Sequence, residues 1–419
     1  MIHVVVVGQG YVGLPLAMRA VGAGHDVTGL DTSIDRVKRL SAGESFVEDV
    51  PDEALRAAID TGRYRATDSP ASCEGFDVAV VTVPTPLRDG APDLSCIEQA
   101  AEALAPFVTA GSLVVLESTT YPGTTEAVFA PILEAGSGLR AGTDFAVGYS
   151  PERIDPGNQE WTLETTPKVV SGIDRASLCR TEEFYRTIVA QTVAVSSTRS
   201  AELAKLLENT FRHVNVALVN ELAMVAADLS IDVWEAIDAA ATKPFGFMRF
   251  SPGPGVGGHC LPIDPSYLSW TVRQRLGRSF RFVELANDIN DHMPDYVASR
   301  LVHALNRQGR AMSRSRVLVL GLAYKRNSGD ARESPATALI ELLVRDGASV
   351  AVADPHVVED ERATAGVRRV SMCREELEVA DAVVLVTDHD AFDYDLIVEH
   401  ARYLLDCRHR LEGEHVEHL

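Results

Sequence analysis

The sequence predicts an α/β protein built of two Rossmann-like doubly wound domains joined by a long central helix and a helical middle domain. Short apolar, β-branched runs alternate with helical stretches over residues 1–150, the pattern of a parallel sheet covered on both faces. From Thr198, a stretch of about 30 residues has no Gly or Pro and repeats its apolar residues at helical spacing. After residue 300 the strand–helix alternation returns. The divisions that follow are 1–197, 198–300 and 301–419.

Ile2–Val7 opens the first domain as a buried strand. It is not a signal peptide, because glycines interrupt it at once and no basic run precedes it. A helix starts near Gly13, and Asp26–Leu30 is a second strand. Val78–Val83, Leu113–Glu117 and Phe145–Gly148 are further buried strands. The helix from Thr198 to Leu229, capped by Ser197 or Thr198, would be on the order of 45 Å long. Such a length suits joining domains or lying in a subunit interface. In the last domain Arg316–Leu320, Ser349–Ala353 and Ala382–Val386 read as strands, with helices at Pro335–Arg345 and before Leu305.

At 419 residues the chain exceeds one ordinary core. Its 46% hydrophobic and 24% charged residues are those of a soluble globular protein. A net charge of -21 argues against nucleic acid or an anionic membrane as partner, because both need a basic surface. An anionic substrate must therefore meet a local cluster of Lys and Arg. No stretch approaches the roughly 20 apolar residues of a membrane span. The cysteines (Cys73, Cys96, Cys179, Cys260, Cys373 and Cys407) are scattered without metal-ligand spacing, so no metal is expected. They read as reduced thiols of a cytoplasmic protein.

Val4 to Gly13 contains GxGxxG, directly after a strand and at the start of a helix. Gly8 allows the tight turn, Gly10 lets backbone N–H groups approach a pyrophosphate, and Gly13 lets helix and strand pack closely. Asp31 ends the next strand, where a carboxylate can bond both hydroxyls of the adenosine ribose and repel a 2′-phosphate. The expected cofactor is NAD, although Arg36 nearby also suits NADP, and the glycine pattern alone also fits FAD.

Cys260 lies in a run with four glycines at positions 253–258, where backbone can turn sharply and lie close to a ligand. A thiol becomes a strong nucleophile only as thiolate, which needs positive charge or hydrogen-bond donors nearby. Lys205 on the long helix is one source, and Asn209 projects from the same helical face. Asp264 is a candidate base or water-positioning group, or else a cap for the turn before Pro265. Glu152 is a second acid just after a strand end, where open α/β sheets bind ligands.

From its start to near residue 410 the chain resembles the nucleotide-sugar 6-dehydrogenases. The motifs that carry the likeness are Gly8–Ala17, Val83-Pro-Thr-Pro86, Glu117-Ser-Thr119-Thr-Tyr-Pro-Gly-Thr, Ser150-Pro-Glu-Arg, Ala204-Lys-Leu-Leu-Glu-Asn209, Gly253–Pro265 and Gly321-Leu-Ala-Tyr-Lys325 with Asp330-Ala-Arg332. The resemblance implies a four-electron oxidation by NAD of a sugar C6 hydroxyl to a carboxylate, through a thiohemiacetal and a thioester on Cys260. Lys205 and Asn209 match groups that polarise the C6 oxygen. Asp264 and Thr119 match a water-holding pair, and Glu152 an acid assisting thioester hydrolysis. The cofactor site extends to Tyr11, Val12, Arg36, Pro84, Thr85, Thr119, Glu152 and Arg332. The substrate site takes Lys205, Asn209, Phe250, Gly257, Lys325 facing the diphosphate, and Arg408 at the sugar.

The resemblance also implies a UDP-sugar partner and a homodimer built on the long helix. Thr242-Lys-Pro-Phe-Gly-Phe is similar to the branch that oxidises UDP-N-acetylglucosamine or its isomers. Phe250-Ser251-Pro-Gly departs from that branch, which has Phe-Tyr-Pro-Gly. UDP-glucose is the alternative substrate. A two-electron β-hydroxyacid dehydrogenase would pair a similar first domain with a helical Lys and need no thiol. A non-catalytic nucleotide-binding protein would need neither.

Overall fold

The structure is a computed structural model. It describes residues 1–419 apart from 48, 89, 155–157, 159, 259–260 and 358–366. The chain divides into two compact units, Met1–Glu208 and Asn209–Leu419.

The first unit is built on an eight-stranded sheet. Its order is Tyr64–Thr67, Asp26–Leu30, His3–Val7, Val78–Val81, Leu113–Leu116, Ala146–Tyr149, Lys168–Gly172, Thr192–Ala194. Alternate residues of the central strand enter different cores. Val4 and Val6 pack with Leu14, Ala17 and Leu40, whereas Val5 and Val7 pack with Ile97, Leu104 and Leu133. A strand buried on both faces reads as an unbroken apolar run, which is how His3–Val7 looks in the sequence. His3–Val7 pairs with Asp26–Leu30 on one side and Val78–Val81 on the other. This is the switch point of a doubly wound sheet, the place where such sheets bind ligands.

The expected parallel sheet holds except at its last two strands. Lys168–Gly172 runs antiparallel to Ala146–Tyr149, and Thr192–Ala194 then runs parallel to Lys168–Gly172. Among the described residues no crossover helix stands between Ala146–Tyr149 and Lys168–Gly172, and an antiparallel return needs none.

The helix Thr198–Asp228 matches expectation to within a residue. Ser197 is its cap, its Oγ accepting from the Ser200 N–H at 3.1 Å. The division between the two units falls within this helix, after Glu208.

The second unit continues with the helices Val233–Ala241, Asp264–Leu276 and Arg281–Arg307. A six-stranded, all-parallel sheet follows, in the order Arg368–Arg369, Ser349–Ala353, Arg316–Leu320, Ala382–Leu385, Leu404–Asp406, Val416–His418. Val317 and Val319 pack under Val297, Leu301 and Leu339 of the helices Arg281–Arg307 and Pro335–Arg345. Leu318 and Leu320 fill the opposite core with Leu377 and Ile397. None of the helices among the described residues is long and apolar enough to cross a membrane.

Candidate active site

In the first unit the glycines of the fingerprint are closed where they must be closed and open where a ligand would lie. Gly8 has φ +90°, and a Cβ there would stand 2.8 Å from the Thr82 carbonyl oxygen. A Cβ on Gly13 would come within 1.8 Å of the Gly8 oxygen, so helix and strand could not close. A Cβ on Gly10 would meet nothing within 4 Å. The helix Gly13–Gly22 begins here with its N-cap at Val12 and without a side-chain cap. Its first N–H groups suit a phosphate.

The buried Asp31 accepts from the Gln9 N–H at 2.8 Å and from the Ser33 N–H at 2.9 Å. Arg36 bonds it at 2.9 Å and lies over the Phe46 ring at 5.1 Å. Gln9 is fully buried and takes a hydrogen bond from the Tyr64 hydroxyl at 2.8 Å. Burial, reinforced by Asp31, keeps that phenol well above its usual range. Tyr11 is half-buried against the core, Thr85 is buried and Pro84 is exposed. These residues fit a dinucleotide.

Lys205 is almost fully buried on the long helix, and its Nζ bonds the Glu152 carbonyl oxygen at 2.7 Å and its carboxylate at 3.2 Å. The neighbouring Arg153 pairs with Glu208 at 2.8 Å. The first two residues after Pro151 are thus pinned to the helix that carries Lys205. Thr119 is half-buried just past the strand Leu113–Leu116. Two residues before it, Glu117 forms a fully buried ion pair with Lys168 at 3.0 Å and accepts from the Tyr185 hydroxyl. Burial and the Glu117 charge hold the Tyr185 phenol well above its usual range.

Glu202 was not evident from the sequence as a member of this group. Its fully buried carboxylate accepts from the Gly123 N–H at 2.5 Å, the Thr125 N–H at 2.9 Å and the Thr125 hydroxyl at 2.7 Å. It fastens the segment after Thr119 to the helix that bears Lys205. Its place one turn before Lys205 was the only sequence signal.

In the second unit the Asn209 amide donates to Asp264 at 2.5 Å, and both side chains are buried. Asp264 begins the helix Asp264–Leu276, whose N-cap is Ile263, so Asp264 does not cap it. Cys260 lies outside the described residues, as do Asp155, Pro156 and Gly157 of the segment after Glu152.

The glycines before Cys260 lie close against residues of the same unit. A Cβ on Gly253 would stand 2.9 Å from the Arg408 guanidinium, and one on Gly255 3.0 Å from Pro335. On Gly257 it would stand 2.7 Å from the Glu333 oxygen, and on Gly258 2.7 Å from the Tyr324 ring. The Asn220 side chain accepts the Gly253 N–H at 2.9 Å and donates to Asn290. Phe250 stacks edge-on with Phe211. Arg249 pairs with Asp238 at 2.8 Å and donates to Ser251 at 2.6 Å.

Arg408 donates from Nε to the Val386 carbonyl at 2.6 Å. Lys325 is half-buried in the turn after Arg316–Leu320, and the exposed Arg332 forms an ion pair with Asp330 at 2.6 Å.

A dinucleotide fingerprint closed by Asp31, a helix bearing buried Lys205 and Asn209, and a second α/β sheet define an NAD-dependent oxidoreductase. Residues 2–189 match the NAD binding domain of the UDP-glucose/GDP-mannose dehydrogenase family. Residues 199–292 match its central domain and residues 318–413 its UDP binding domain. The chain belongs to this family, and its cofactor is NAD. It is 36% identical over 391 residues to the UDP-N-acetyl-D-mannosamine dehydrogenase of Pyrococcus horikoshii, covering 93% of this chain and 90% of that one. A solved UDP-D-ManNAc dehydrogenase from that organism superposes with a TM-score of 0.89 at 33% identity, covering 99% of this chain and 98% of the other. A UDP-glucose dehydrogenase from Pyrobaculum islandicum gives the same TM-score at 29% identity, covering 100% and 96%.

Proposed function

We propose that the chain oxidises the C6 hydroxyl of a UDP-N-acetylhexosamine to a carboxylate, with Cys260 as covalent nucleophile. The observation that supports this best is the pair of contacts made from one helix, Lys205 to Glu152 and Asn209 to Asp264. The names of the relatives favour an N-acetylated sugar, mannosamine in particular. UDP-glucose is the second reading, because a UDP-glucose dehydrogenase superposes equally well.

NAD supplies the hydride acceptor, and two are reduced per sugar. Lys205 and Asn209 hold the C6 oxygen and stabilise negative charge on it. The alcohol proton leaves through water held by Asp264 and Thr119. The Cys260 sulfur adds to the aldehyde carbon, forming a thiohemiacetal, and loss of the second hydride leaves a thioester. Water then displaces the sulfur with help from Glu152, releasing carboxylate and thiol. Lys325 and Arg408 supply cations for a diphosphate and its sugar in an otherwise acidic chain, and Arg332 serves the cofactor.

The division into an NAD domain (1–197), a central domain (198–300) and a UDP-sugar domain (301–419) belongs to this reading. So does a homodimer. Leu203, Leu207, Phe211, Leu218, Leu222 and Val225 are 44–62% exposed. At ~100° per residue they fall on one stripe of the long helix. An apolar stripe of this kind marks an interface, and a second copy is the occupant we propose. The unpaired Cys73, Cys96, Cys179, Cys373 and Cys407 suit a reducing, cytoplasmic setting.

The test is turnover of UDP-N-acetylmannosamine, UDP-N-acetylglucosamine, UDP-N-acetylgalactosamine and UDP-glucose, followed by NADH absorbance. Two NADH per acid formed are expected, with an N-acetylated sugar preferred. Cys260→Ser should block release of the acid. One NADH per product, or normal turnover by that variant, excludes the covalent route.

A further inference from the structure

The second sheet repeats the turn of the first and uses its acid differently. Gly321 ends the strand Arg316–Leu320 with φ +91°, as Gly8 ends His3–Val7 with φ +90°. A Cβ on Gly321 would stand 2.6 Å from the Thr387 carbonyl oxygen, as one on Gly8 would stand 2.8 Å from that of Thr82. The next N–H donates to an acid at the end of the second strand, Gln9 to Asp31 at 2.8 Å and Leu322 to Asp354 at 2.6 Å.

Asp31 accepts three hydrogen bonds, from the Gln9 and Ser33 N–H groups and from Arg36, and Asp354 accepts more. Asp354 accepts five hydrogen bonds: from the N–H groups of Leu322, Ala323, His356 and Val357, and from His389 Nε2 at 3.0 Å. A carboxylate offers about four lone-pair sites. Burial opposes its ionisation, yet these bonds, led by that from His389, hold its carboxyl far below the usual range. A nucleotide bound by this sheet must therefore be recognised elsewhere. The other ring nitrogen of His389 shows where. The Asn327 N–H donates to Nδ1 at 3.0 Å, which makes Nδ1 the acceptor and places the ring proton on Nε2, facing Asp354. The ring is fully buried, and Asn327 has φ +55° two residues after Lys325.

We propose that His389 is a positioning residue for the nucleoside diphosphate, tying buried Asp354 to the backbone of the turn that carries Lys325. This rests on the reading that Lys325 faces the diphosphate. The ring sets the path of residues 325–327, and through it the place of the Lys325 ammonium.

The experiment compares full-length His389→Gln and His389→Asn. The Gln amide reaches the Nε2 position and keeps a donor for Asp354, but loses the acceptor for Asn327. The Asn side chain keeps an acceptor near Nδ1 and loses the donor to Asp354. UDP binding is measured by calorimetry, KM for the UDP-sugar and for NAD by turnover, and Tm by thermal melting. We expect His389→Gln to bind UDP about tenfold more weakly, the equivalent of one lost hydrogen bond. Its sugar KM should rise in step, with Tm and the KM for NAD near wild type. His389→Asn should melt lower and bind UDP nearly as wild type does. If UDP affinity follows Tm across the two variants, or is unchanged in His389→Gln, the assignment is wrong. Lys325→Ala separates the two readings. If it also binds UDP normally, the diphosphate role of Lys325 fails and His389 with it; if it binds weakly while His389→Gln does not, only the His389 assignment fails.

Discussion

Asn209 and Asp264 are joined by a 2.5 Å hydrogen bond between two buried side chains, 55 residues apart in sequence. Asn209→Ala leaves that carboxylate one donor short, at a cost of about 1–3 kcal/mol. The expected Tm falls by roughly 2–10 °C, and kcat by ~10²–10³ if Asn209 also stabilises the oxyanion. Asn209→Asp would set two carboxylates side by side and raise their shared titration. Its stability should be best at acid pH and fall as the pH rises, which thermal melts across pH would show.

The buried Lys205 meets Glu152 through both the backbone and the carboxylate. Lys205→Met keeps the length and apolar stem of the side chain but removes its charge. The expected outcome is a kcat reduced by ~10²-fold or more, with NADH affinity by fluorescence unchanged. Weakened NADH binding would mean that Lys205 serves the architecture of the first unit instead.

Gly10 and Gly13 separate ligand approach from packing. Gly10→Ala meets no protein atom. It should melt within about 2 °C of wild type, as a substitution in open space does, yet bind NAD at least ~10-fold more weakly. Gly13→Ala places its methyl 1.8 Å from the Gly8 oxygen, so it should lose soluble expression or melt many degrees lower. Equal behaviour of the two variants, read by melting and by NADH fluorescence, would remove this distinction.

Glu202 carries the pH prediction. Burial raises its carboxyl above the ordinary 4.5, although the bonds from Gly123 and Thr125 oppose the rise. The folded state therefore holds its proton more tightly than the unfolded state does. The contribution is greatest below 4.5 and is lost as the pH climbs through the raised value. Glu202→Gln has no such titration. Its Tm should lie furthest below wild type at low pH and approach it as the pH rises; a constant gap would show that Glu202 does not titrate in this range.

The stripe on the long helix supports one more test. Leu207→Glu changes a residue that is 62% exposed. It should convert the proposed dimer to monomer in sedimentation at micromolar concentration without unfolding the first unit, which NADH binding would report.

Much of this was legible in the chain because burial on two faces leaves long apolar runs. Asp26–Leu30, Arg316–Leu320, Ser349–Ala353 and Pro335–Arg345 lie where the sequence placed them. Tyr64–Thr67, Thr192–Ala194 and Val416–His418 leave no mark in the sequence, because strands this short carry no period and are defined by their neighbours. Lys168–Gly172 hid behind its charged first residue, which is neutralised by Glu117, 51 positions earlier. The chemical residue types stood out in their motifs, but their partners did not. Glu202, Gln9 and His389 act through contacts between distant residues, and sequence spacing carries no trace of those. In the sequence the glycine run suggests room for a ligand, whereas in the fold Gly253, Gly255, Gly257 and Gly258 first make room for Arg408, Pro335, Glu333 and Tyr324.

That last feature bears on any attempt to redesign the enzyme for another sugar. Residues 249–258 cannot be exchanged as a cassette, because their shape is cast against a bed of side chains roughly 70 to 150 positions downstream. A transplanted loop will seat only if its Tyr324, Pro335 and Arg408 counterparts travel with it, and single replacements should be confined to Arg249, Phe250 and Ser251, where the backbone is not held by missing side chains.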